Sequence, residues 1–269
     1  MRARAHSIRS NVVRIAAGPH GAHVGGSMSI ADVLAVLYFG VLRIRPDEPA
    51  WPERDTFILS KGHASAALYA TLAERGFLGA DELATYGLSG SRLFGHPTRA
   101  VPGVEFPTGS LGHGLSLGVG TALAARRDGS DRRTFVLLGD GELQEGSVWE
   151  AAMAAGHFGL DNLVAIVDRN RLQINGPTER TMTLEPLAAR WESFGWSVRG
   201  VDGHDVGALA DALRSTPWDA GSPSVLIAST VKGKGIGFAE GRKKSHYMTL
   251  TPALRERAER ALSASGAGT

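Results

Sequence analysis

Short runs of β-branched and aliphatic residues alternate along the chain with longer stretches in which apolar residues recur every three or four positions. The first pattern is typical of buried strands and the second of amphipathic helices. The strand pattern occurs at residues 56–59, 134–138, 163–167, 196–199 and 224–228. The helix pattern occurs at residues 29–42, 64–75, 115–127, 148–158 and 206–213.

This order of elements predicts an α/β fold with a doubly wound, mostly parallel sheet and helices on both faces. The runs at 134–138 and 163–167 contain no alternating polar residues, as expected for strands that are covered on both sides. We expect one domain over residues 1–269, because an α/β unit of this length is ordinary.

Two further segments complete this picture. Residues 89–110 are rich in glycine and proline and predict a long irregular loop, which in a compact domain is usually functional. A last helix is predicted at residues 252–262, and the small residues from about 263 onward predict a disordered tail.

Composition and charge narrow the classes of function. Apolar residues make up 43% of the chain and charged residues 21%, which is typical of globular proteins. The net charge is only +2 and the basic residues are scattered, so nothing indicates nucleic-acid binding. The sequence has no targeting segment and no run of the roughly 18 apolar residues that span a bilayer, so we expect no membrane association and a cytoplasmic location. The absence of cysteine excludes disulfides and thiolate metal sites.

An aspartate directly behind the strand at 134–138 is the first candidate for chemistry. Asp140 stands between Gly139 and Gly141, and ligands of open α/β sheets bind beyond the carboxyl ends of the strands. The glycines permit a tight turn, while the carboxylate offers hard oxygen atoms to a divalent cation. An aspartate is also a favoured helix N-cap, and three residues alone do not decide between these two roles.

A second polar turn follows the next strand and strengthens the metal hypothesis. Asn170 lies thirty positions after Asp140, a gap that fits one crossover helix between parallel strands. Both side chains can then reach the same edge of the sheet. A carboxylate, an amide oxygen and a backbone carbonyl would leave coordination positions on Mg²⁺ for diphosphate oxygens.

The segment that runs from GDGELQEGS at 139 to RNRLQINGPT at 178 resembles the thiamine diphosphate motif of cofactor-binding enzymes. More narrowly, the chain resembles the amino-terminal half of transketolase. Supporting segments occur in the order of that family: GAHVGGSMSIAD at 21–32, LSKGHAS at 59–65, FGHP at 94–97, TGSLGHGLS at 108–116 and VKGKGIG at 231–237.

The resemblance implies thiamine diphosphate as cofactor, together with Mg²⁺ or another divalent cation such as Ca²⁺ or Mn²⁺. It implies that Asp140 and Asn170 bind the metal by their side chains and Leu172 by its carbonyl oxygen. Glu145 and Glu150 match acidic positions at the family's subunit contact, although both could be solvated carboxylates at the start of a helix. The residues that the resemblance places against the cofactor are His63, Gly109, Leu111, Gly139, Asp140, Gly141, Glu145, Asn170, Ile174 and His246.

Four of the nine histidines coincide with family positions around the reacting carbon and the sugar, and we expect them to be catalytic. Imidazole suits proton transfer near neutral pH. The resemblance places His63 beside the cofactor's phosphate and reaction centre, His96 at the donor's terminal hydroxyl, and His23 and His246 at oxygens that develop charge. His246 stands in Lys-Lys-Ser-His-Tyr, where the family commonly has tryptophan before and glycine after the histidine, so its register is open. We assign His113 at most a supporting contact.

The implied activity is the transfer of a two-carbon ketol unit from a ketose to an aldose, with sugar or sugar-phosphate substrates. In the family, the pyrimidine-binding glutamate comes from a second domain, and this chain ends just after the first. We therefore expect the amino-terminal subunit of a split transketolase, active only with a partner that carries the pyrimidine-binding and carboxy-terminal domains, in a heterotetramer of two chains of each kind. Pentose phosphate metabolism and a specialised sugar pathway both remain open.

Three alternatives compete with this interpretation. The α subunit of a thiamine diphosphate-dependent 2-oxo acid dehydrogenase or decarboxylase shares the metal motif, but not the set GAHVGGS, SKGHAS and FGHP. A nucleotide-binding dehydrogenase could use the glycines of residues 112–118, yet no clear strand precedes them. A non-catalytic cofactor-binding module would have no physical need for a pair of metal ligands.

Overall fold

The structure is a computed structural model that describes residues 1–266. Its sheet has five strands, and all neighbouring strands pair in parallel in the order β1-β2-β3-β5-β4. The predicted parallel sheet is confirmed. The strands are β1 (Thr56–Leu59), β2 (Thr134–Gly139), β3 (Leu163–Arg169), β4 (Ser197–Asp202) and β5 (Ser224–Ser229).

Helices cover both faces of this sheet. Alternate residues of a strand point to opposite sides, so each strand supplies apolar side chains to both faces. In β2, Phe135 and Leu137 belong to one hydrophobic core, and Val136 and Leu138 to the other. The helices are α1 (Arg2–Ala16), α2 (Val24–Ser29), α3 (Ala31–Val36), α4 (Ser65–Arg75), α5 (Gly114–Arg127), α6 (Gly146–His157), α7 (Thr178–Thr181), α8 (Leu187–Ser193), α9 (Val206–Arg214) and α10 (Pro252–Gly266). Helices α1, α3, α4 and α9 pack on the first core, and α5, α6 and α8 on the second.

The helix predicted at residues 29–42 is divided. Ile30 has φ −100° and ψ 3°, so α3 begins only at Ala31. Residues Leu37–Val41 then form a wide π-helical turn that ends in a hydrogen bond from the Leu42 amide to the Leu37 carbonyl. The periodicity of apolar residues continues through both interruptions, which is why the pattern alone did not reveal them.

The structure contains an amino-terminal helix that the pattern did not predict. The inner face of α1 includes Ile8 and Val12 but also Arg9, which is only 8% exposed. This arginine is neutralised by Asp32 of α3, with nitrogen-to-oxygen distances of 2.5 and 3.2 Å. A charged residue on the buried face weakened the amphipathic signal.

The carboxy-terminal helix is longer than predicted. Helix α10 continues through residues 263–266, which were expected to belong to a disordered tail. The rest of that predicted tail, residues 267–269, lies outside the described residues. None of the helices within residues 1–266 is long and apolar enough to cross a membrane.

The predicted long loop is confirmed, since residues 89–110 form no helix or strand. Tyr69 of α4 donates a hydrogen bond from its hydroxyl to the His96 carbonyl oxygen at 3.0 Å. Thr108 donates to the carbonyl oxygen of Leu59, at the end of β1, at 2.7 Å. These two contacts fix the loop over the carboxyl edge of the sheet, where the strands β1, β2, β3 and β5 all end.

Candidate active site

A cavity of about 360 Å³ lies at this carboxyl edge and is lined by residues that follow β1, β2, β3 and β5. The structure brings together there every residue that the sequence predicted for the metal, the cofactor and catalysis. These residues are His23, His63, His96, Gly109, Leu111, Gly139, Asp140, Gly141, Glu145, Asn170, Leu172, Ile174 and His246.

Asp140 follows β2 at the floor of the cavity and is 1% exposed. Its Oδ1 accepts a hydrogen bond from the Gly141 amide at 2.8 Å and so caps the short 3₁₀ turn Gly141–Gln144. Its Oδ2 accepts from the Arg171 amide and, at 3.2 Å, from Arg169. Burial, and then the negative charge of Asp168, raise the pKa of Asp140 to about 6. Asp140 therefore caps the turn and also lines the cavity.

The turn after β3 carries two of the predicted metal ligands. Arg171, between Asn170 and Leu172, has a φ of 65°, a left-handed conformation that is uncommon for residues other than glycine. It lets the residues on both sides of it line the same cavity. A strained backbone held by specific contacts is frequent at functional sites.

A buried ion pair beneath the cavity fixes the amide of Asn170. The strand β3 extends two residues beyond its predicted end and therefore includes Asp168. Asp168 is fully buried, and its Oδ2 lies 2.5 Å from Nζ of Lys61. Although burial opposes ionisation, Lys61 and several hydrogen bonds lower the pKa of Asp168. Asn170 Nδ2 donates to this carboxylate at 2.9 Å, so its Oδ1 is the acceptor end of the amide, and this oxygen accepts from the Leu172 backbone N–H at 3.1 Å. Sequence analysis missed both charged residues, because they lie 107 positions apart.

Lys232 follows β5 and was also missed. Its Nζ lies 3.2 Å from the Leu172 carbonyl oxygen and 3.3 Å from Nδ1 of His246. Burial, and then the nearby Lys61 ammonium, lower the pKa of Lys232 to about 8. The match of residues 231–237 to a family segment was the only sequence signal that could have found it.

The four predicted catalytic histidines form one cluster around His23. The ring of His23 lies 5.4 Å from that of His63, 5.9 Å from that of His96 and 5.2 Å from that of His246. Burial is the largest cause that lowers the pKa of His23 and of His246, each to about 4. Burial and Lys61 also hold the pKa of His63 well below its usual value. Nδ1 of His23 is buried and has no hydrogen-bond partner among the described residues.

The structure places the 243–248 segment beside the histidine cluster. Met248 forms a β-bridge with Ala22, and this pairing brings His246 beside His23. His113, in contrast, is exposed and faces a separate surface depression with Thr108 and Ser116. Its Nδ1 lies 3.0 Å from the carbonyl oxygen of Leu111, which lines the cavity, and the supporting contact expected of His113 stays a prediction.

The glutamates in and near the cavity have different environments. Glu145 lines the cavity but is exposed, as is Glu150 on α6. Glu142, which sequence analysis passed over, is 2% exposed and accepts hydrogen bonds from the Gly112 and Gly139 amides, both at 3.0 Å. Burial raises its pKa. It holds together the two glycine turns on which the cavity is built.

The donor set fits a divalent cation with hard oxygen ligands. Asp140 offers a carboxylate whose pKa is raised mainly by burial, so a cation beside it would offset the lost hydration. The Leu172 carbonyl already accepts from the Lys232 ammonium group. Among residues 1–266, no group of three or more His, Asp or Glu side chains could hold a metal ion. A cation here would depend on the Asn170 amide, the Leu172 carbonyl and oxygens from a ligand.

A family model described as "Transketolase, thiamine diphosphate binding domain" matches residues 2–262. The chain belongs to the transketolase family. The cofactor of the matched domain is thiamine diphosphate, as the sequence resemblance implied, and the family consists of transferases. The match also decides against the nucleotide-binding dehydrogenase and the 2-oxo acid dehydrogenase subunit considered from the sequence.

Two relatives have lengths close to that of this chain. An apulose-4-phosphate transketolase subunit from Phocaeicola vulgatus is 47% identical over 255 residues, which cover 95% of this chain and 91% of the relative. The 6-deoxy-6-sulfo-D-fructose transketolase subunit of Clostridium sp. is 44% identical over 246 residues, which cover 91% and 90%.

Longer transketolases share the same fold. The structure of Pichia stipitis transketolase in complex with sedoheptulose 7-phosphate superposes with a TM-score of 0.91 at 32% identity, over 97% of this chain and 40% of that one. Human transketolase is 38% identical over 94% of this chain and 40% of its own length. This chain therefore spans about two fifths of these full-length transketolases.

Proposed function

We propose that this chain is the diphosphate-binding subunit of a two-component transketolase, which transfers a two-carbon ketol unit from a ketose to an aldose with thiamine diphosphate and a divalent cation. The observation that carries the proposal is the meeting, in one cavity, of Asp140, Asn170 and the Leu172 carbonyl with four histidines. Relatives that are named transketolase subunits and match this chain over most of their length support it.

We assign Asp140, Asn170 and Leu172 to Mg²⁺, with Ca²⁺ or Mn²⁺ as alternatives of similar ligand preference. We place the diphosphate beside Lys232, whose ammonium group can neutralise it, and beside Gly139 and Gly141, where the lack of a side chain allows close approach. The amide orientation of Asn170 supports this assignment, because Asp168 accepts from its nitrogen, and its oxygen, which accepts from the Leu172 amide, keeps a second lone pair for the cation.

The thiamine ring system would lie between the metal ligands and the histidine cluster. Ile174 supports this placement, because it lines the cavity with an apolar side chain that is 64% exposed and would be covered by a flat ligand. Gly109 leaves room beside His96, since a Cβ atom there would lie 2.5 Å from the His96 ring. When bound, thiamine diphosphate supplies the nucleophilic carbon for ketol transfer, and the protein supplies its orientation.

The histidines are suited to hold and move protons on sugar oxygens. Their lowered pKa values keep His23, His63 and His246 neutral at pH 7, so each ring can donate from one nitrogen and accept at the other. Lys232 donates to Nδ1 of His246, so the ring proton of His246 is on Nε2. Nδ1 of His23 is buried without a partner among the described residues, so no contact fixes the tautomer of this ring, which lines the cavity that a sugar oxygen would enter. His96 is exposed at the mouth of the cavity, where a donor hydroxyl would enter.

The remaining catalytic parts would come from a partner subunit with the pyrimidine-binding and carboxy-terminal domains, in a heterotetramer with two chains of each kind. The extra length of the full-length transketolases supports this assembly. Because relatives act on apulose 4-phosphate and on a sulfonated fructose by name, the substrate class here is a ketose that carries an anionic group. A cytoplasmic location stays a prediction.

Reconstitution tests this function. The chain and a candidate partner polypeptide with the pyrimidine-binding and carboxy-terminal domains are mixed with thiamine diphosphate and Mg²⁺, and a panel of ketose donors and aldose acceptors is screened for products changed by two carbons. We expect transfer only when both polypeptides are present. A complex that binds the cofactor but transfers no ketol unit from any donor would instead support the non-catalytic binding module.

A further inference from the structure

A histidine outside the cavity connects two distant parts of the chain. His204 lies between β4 and α9, and its Nδ1 is 2.8 Å from Oδ2 of Asp32 in α3. Its Nε2 is 2.9 Å from the backbone nitrogen of Val231, in the loop after β5. Asp32 is itself held by Arg9 of α1 at 2.5 Å. The imidazole therefore joins α3 to the loop after β5, and Arg9 connects α1 to the same carboxylate.

The two contacts define the protonation state of His204. A carboxylate only accepts hydrogen bonds, so the proton of the His204 ring is on Nδ1. A backbone N–H only donates, so Nε2 must be the unprotonated nitrogen that accepts from Val231. Only the neutral Nδ1–H tautomer makes both bonds, and the Asp32 carboxylate selects it. Burial opposes the ionisation of Asp32, but its hydrogen bonds with His204 and Arg9 lower its pKa.

The Val231 amide is adjacent to the lysine of the active site. Lys232 is 3% exposed, and its ammonium group reaches the Leu172 carbonyl and His246. The position of this ammonium group depends on the backbone from which the side chain extends. A shift of the Val231–Lys232 peptide would move the charge relative to the metal ligands.

We propose that Asp32 and His204 act as a positioning pair, which sets the backbone at Val231 and thereby holds the Lys232 ammonium group in the active site. The proposal rests on the proposed function in one respect, namely that Lys232 faces a bound diphosphate. His204 is not among the residues that line the active-site cavity, so its role here is positioning and not catalysis.

Other contacts limit how large the effect can be. The Lys232 carbonyl accepts from the Gly241 amide at 2.9 Å, and the Gly233 amide donates to the Gly25 carbonyl at 2.9 Å. The loop therefore remains attached when one bond is lost. A single neutral hydrogen bond contributes about 1 kcal/mol, so we expect changes of roughly fivefold to tenfold.

Amide hydrogen exchange tests the anchoring itself, in the full chain without any ligand. His204→Leu, which removes both bonds, should accelerate exchange at Val231 about fivefold to tenfold. His204→Gln keeps a donor and an acceptor and should restore most of the protection. Thr216→Val is the matched control, because it removes a buried 2.8 Å hydrogen bond to the Leu213 carbonyl far from this loop. Unchanged protection of Val231 in His204→Leu would overturn the proposal.

A double-mutant cycle on thiamine diphosphate affinity tests the connection to Lys232, in the complex with Mg²⁺ and the partner polypeptide. His204→Leu should raise the Kd about fivefold to tenfold when Lys232 is present, and should have no further effect in a Lys232→Met background. A purely structural role predicts equal increases in both backgrounds and would contradict the inference, as would an unchanged Kd in His204→Leu.

The two measurements separate this inference from the proposed function. If the wild-type complex does not bind thiamine diphosphate, the proposed function fails, while exchange at Val231 still decides whether His204 anchors the loop. If Lys232→Met leaves the Kd unchanged, Lys232 does not contact the ligand, and the inference that His204 acts through it is overturned.

Discussion

Three of the four cavity histidines carry no charge at neutral pH, because burial and neighbouring cationic groups lower their pKa values. A neutral imidazole can hand over one proton and accept another without a change of net charge in the site. Two lysines share this space with them, but the lining also contains the carboxylates of Asp140, Glu142 and Glu145, and Lys61 is paired with Asp168. The capture of a diphosphate therefore depends on Lys232 and on a bound cation.

The lowered pKa of His23 predicts a stability effect. Its usual pKa of 6.5 applies to the unfolded chain, while the folded chain takes up the proton only near pH 4. Between these values the unfolded state binds more protons, so stability falls as the pH is lowered through this window. In urea titrations, the loss of unfolding free energy between pH 7 and pH 4.5 should be smaller for His23→Gln than for the wild type. Parallel curves for the two proteins would contradict the assignment.

His96 should affect the donor and not the cofactor. It is exposed at the cavity mouth, and its backbone is held by Tyr69, so removal of the ring leaves the loop in place. His96→Ala should lower kcat/KM for the ketose donor about tenfold or more, as expected for a lost hydrogen bond in the transition state, with an unchanged Kd for thiamine diphosphate. His113→Ala, on a different surface, is the control. Equal donor kinetics in both variants would assign His96 to a structural role.

At the scale of elements, two glycines in α5 offer a matched pair. A Cβ atom at Gly118 would lie 2.5 Å from Cγ2 of Val136 in β2, whereas a Cβ at Gly120 would meet nothing within 4 Å. Gly120→Ala should raise the free energy of unfolding by about 0.5–1 kcal/mol through helix propensity. Gly118→Ala should lower it by about 1–3 kcal/mol, because Val136 is buried and cannot move away. Chemical denaturation of both variants measures the difference, and equal changes would contradict the close packing of α5 on the sheet.

The sequence predicted most accurately the elements whose buried residues are all apolar. The strand predicted at residues 56–59 has the bounds of β1, and the helix predicted at 206–213 differs from α9 by one residue. Both consist of uniform apolar patterns that local periodicity captures. Helix α1 and the end of β3 escaped detection because Arg9 and Asp168 are charged residues whose burial depends on Asp32 and Lys61, which lie far away in the sequence.

The candidate site shows the same division. The positions that the motifs assign to the metal, the cofactor and catalysis all line one cavity, whereas Glu150 and His113 do not, since a motif records both residue type and spacing. Lys61, Glu142 and Lys232 were missed because nothing local distinguishes a buried charge from a solvated one. The structure identifies them through their burial and hydrogen bonds.

At the scale of the whole molecule, we predict that the chain alone transfers no ketol unit and gains activity on assembly. In sedimentation experiments with its companion polypeptide, thiamine diphosphate and Mg²⁺, the mass should correspond to two copies of each chain. Removal of the cofactor should weaken this complex, since ligands that bind between subunits stabilise their association. Full activity of the isolated chain would contradict the division of the site between two polypeptides.

The proposed activity depends most on the metal-mediated capture of thiamine diphosphate, and calorimetric titration of the assembled protein measures this capture directly. With Mg²⁺ present we predict saturable binding of thiamine diphosphate. With a chelator we predict that the affinity falls by roughly 100-fold or more. This loss is larger than the usual effect of mutating residues that only contact the metal ligands. Asp140→Ala should show the weak affinity even with Mg²⁺ present. Equal affinity with and without the metal, or normal binding by Asp140→Ala, would contradict the central claim.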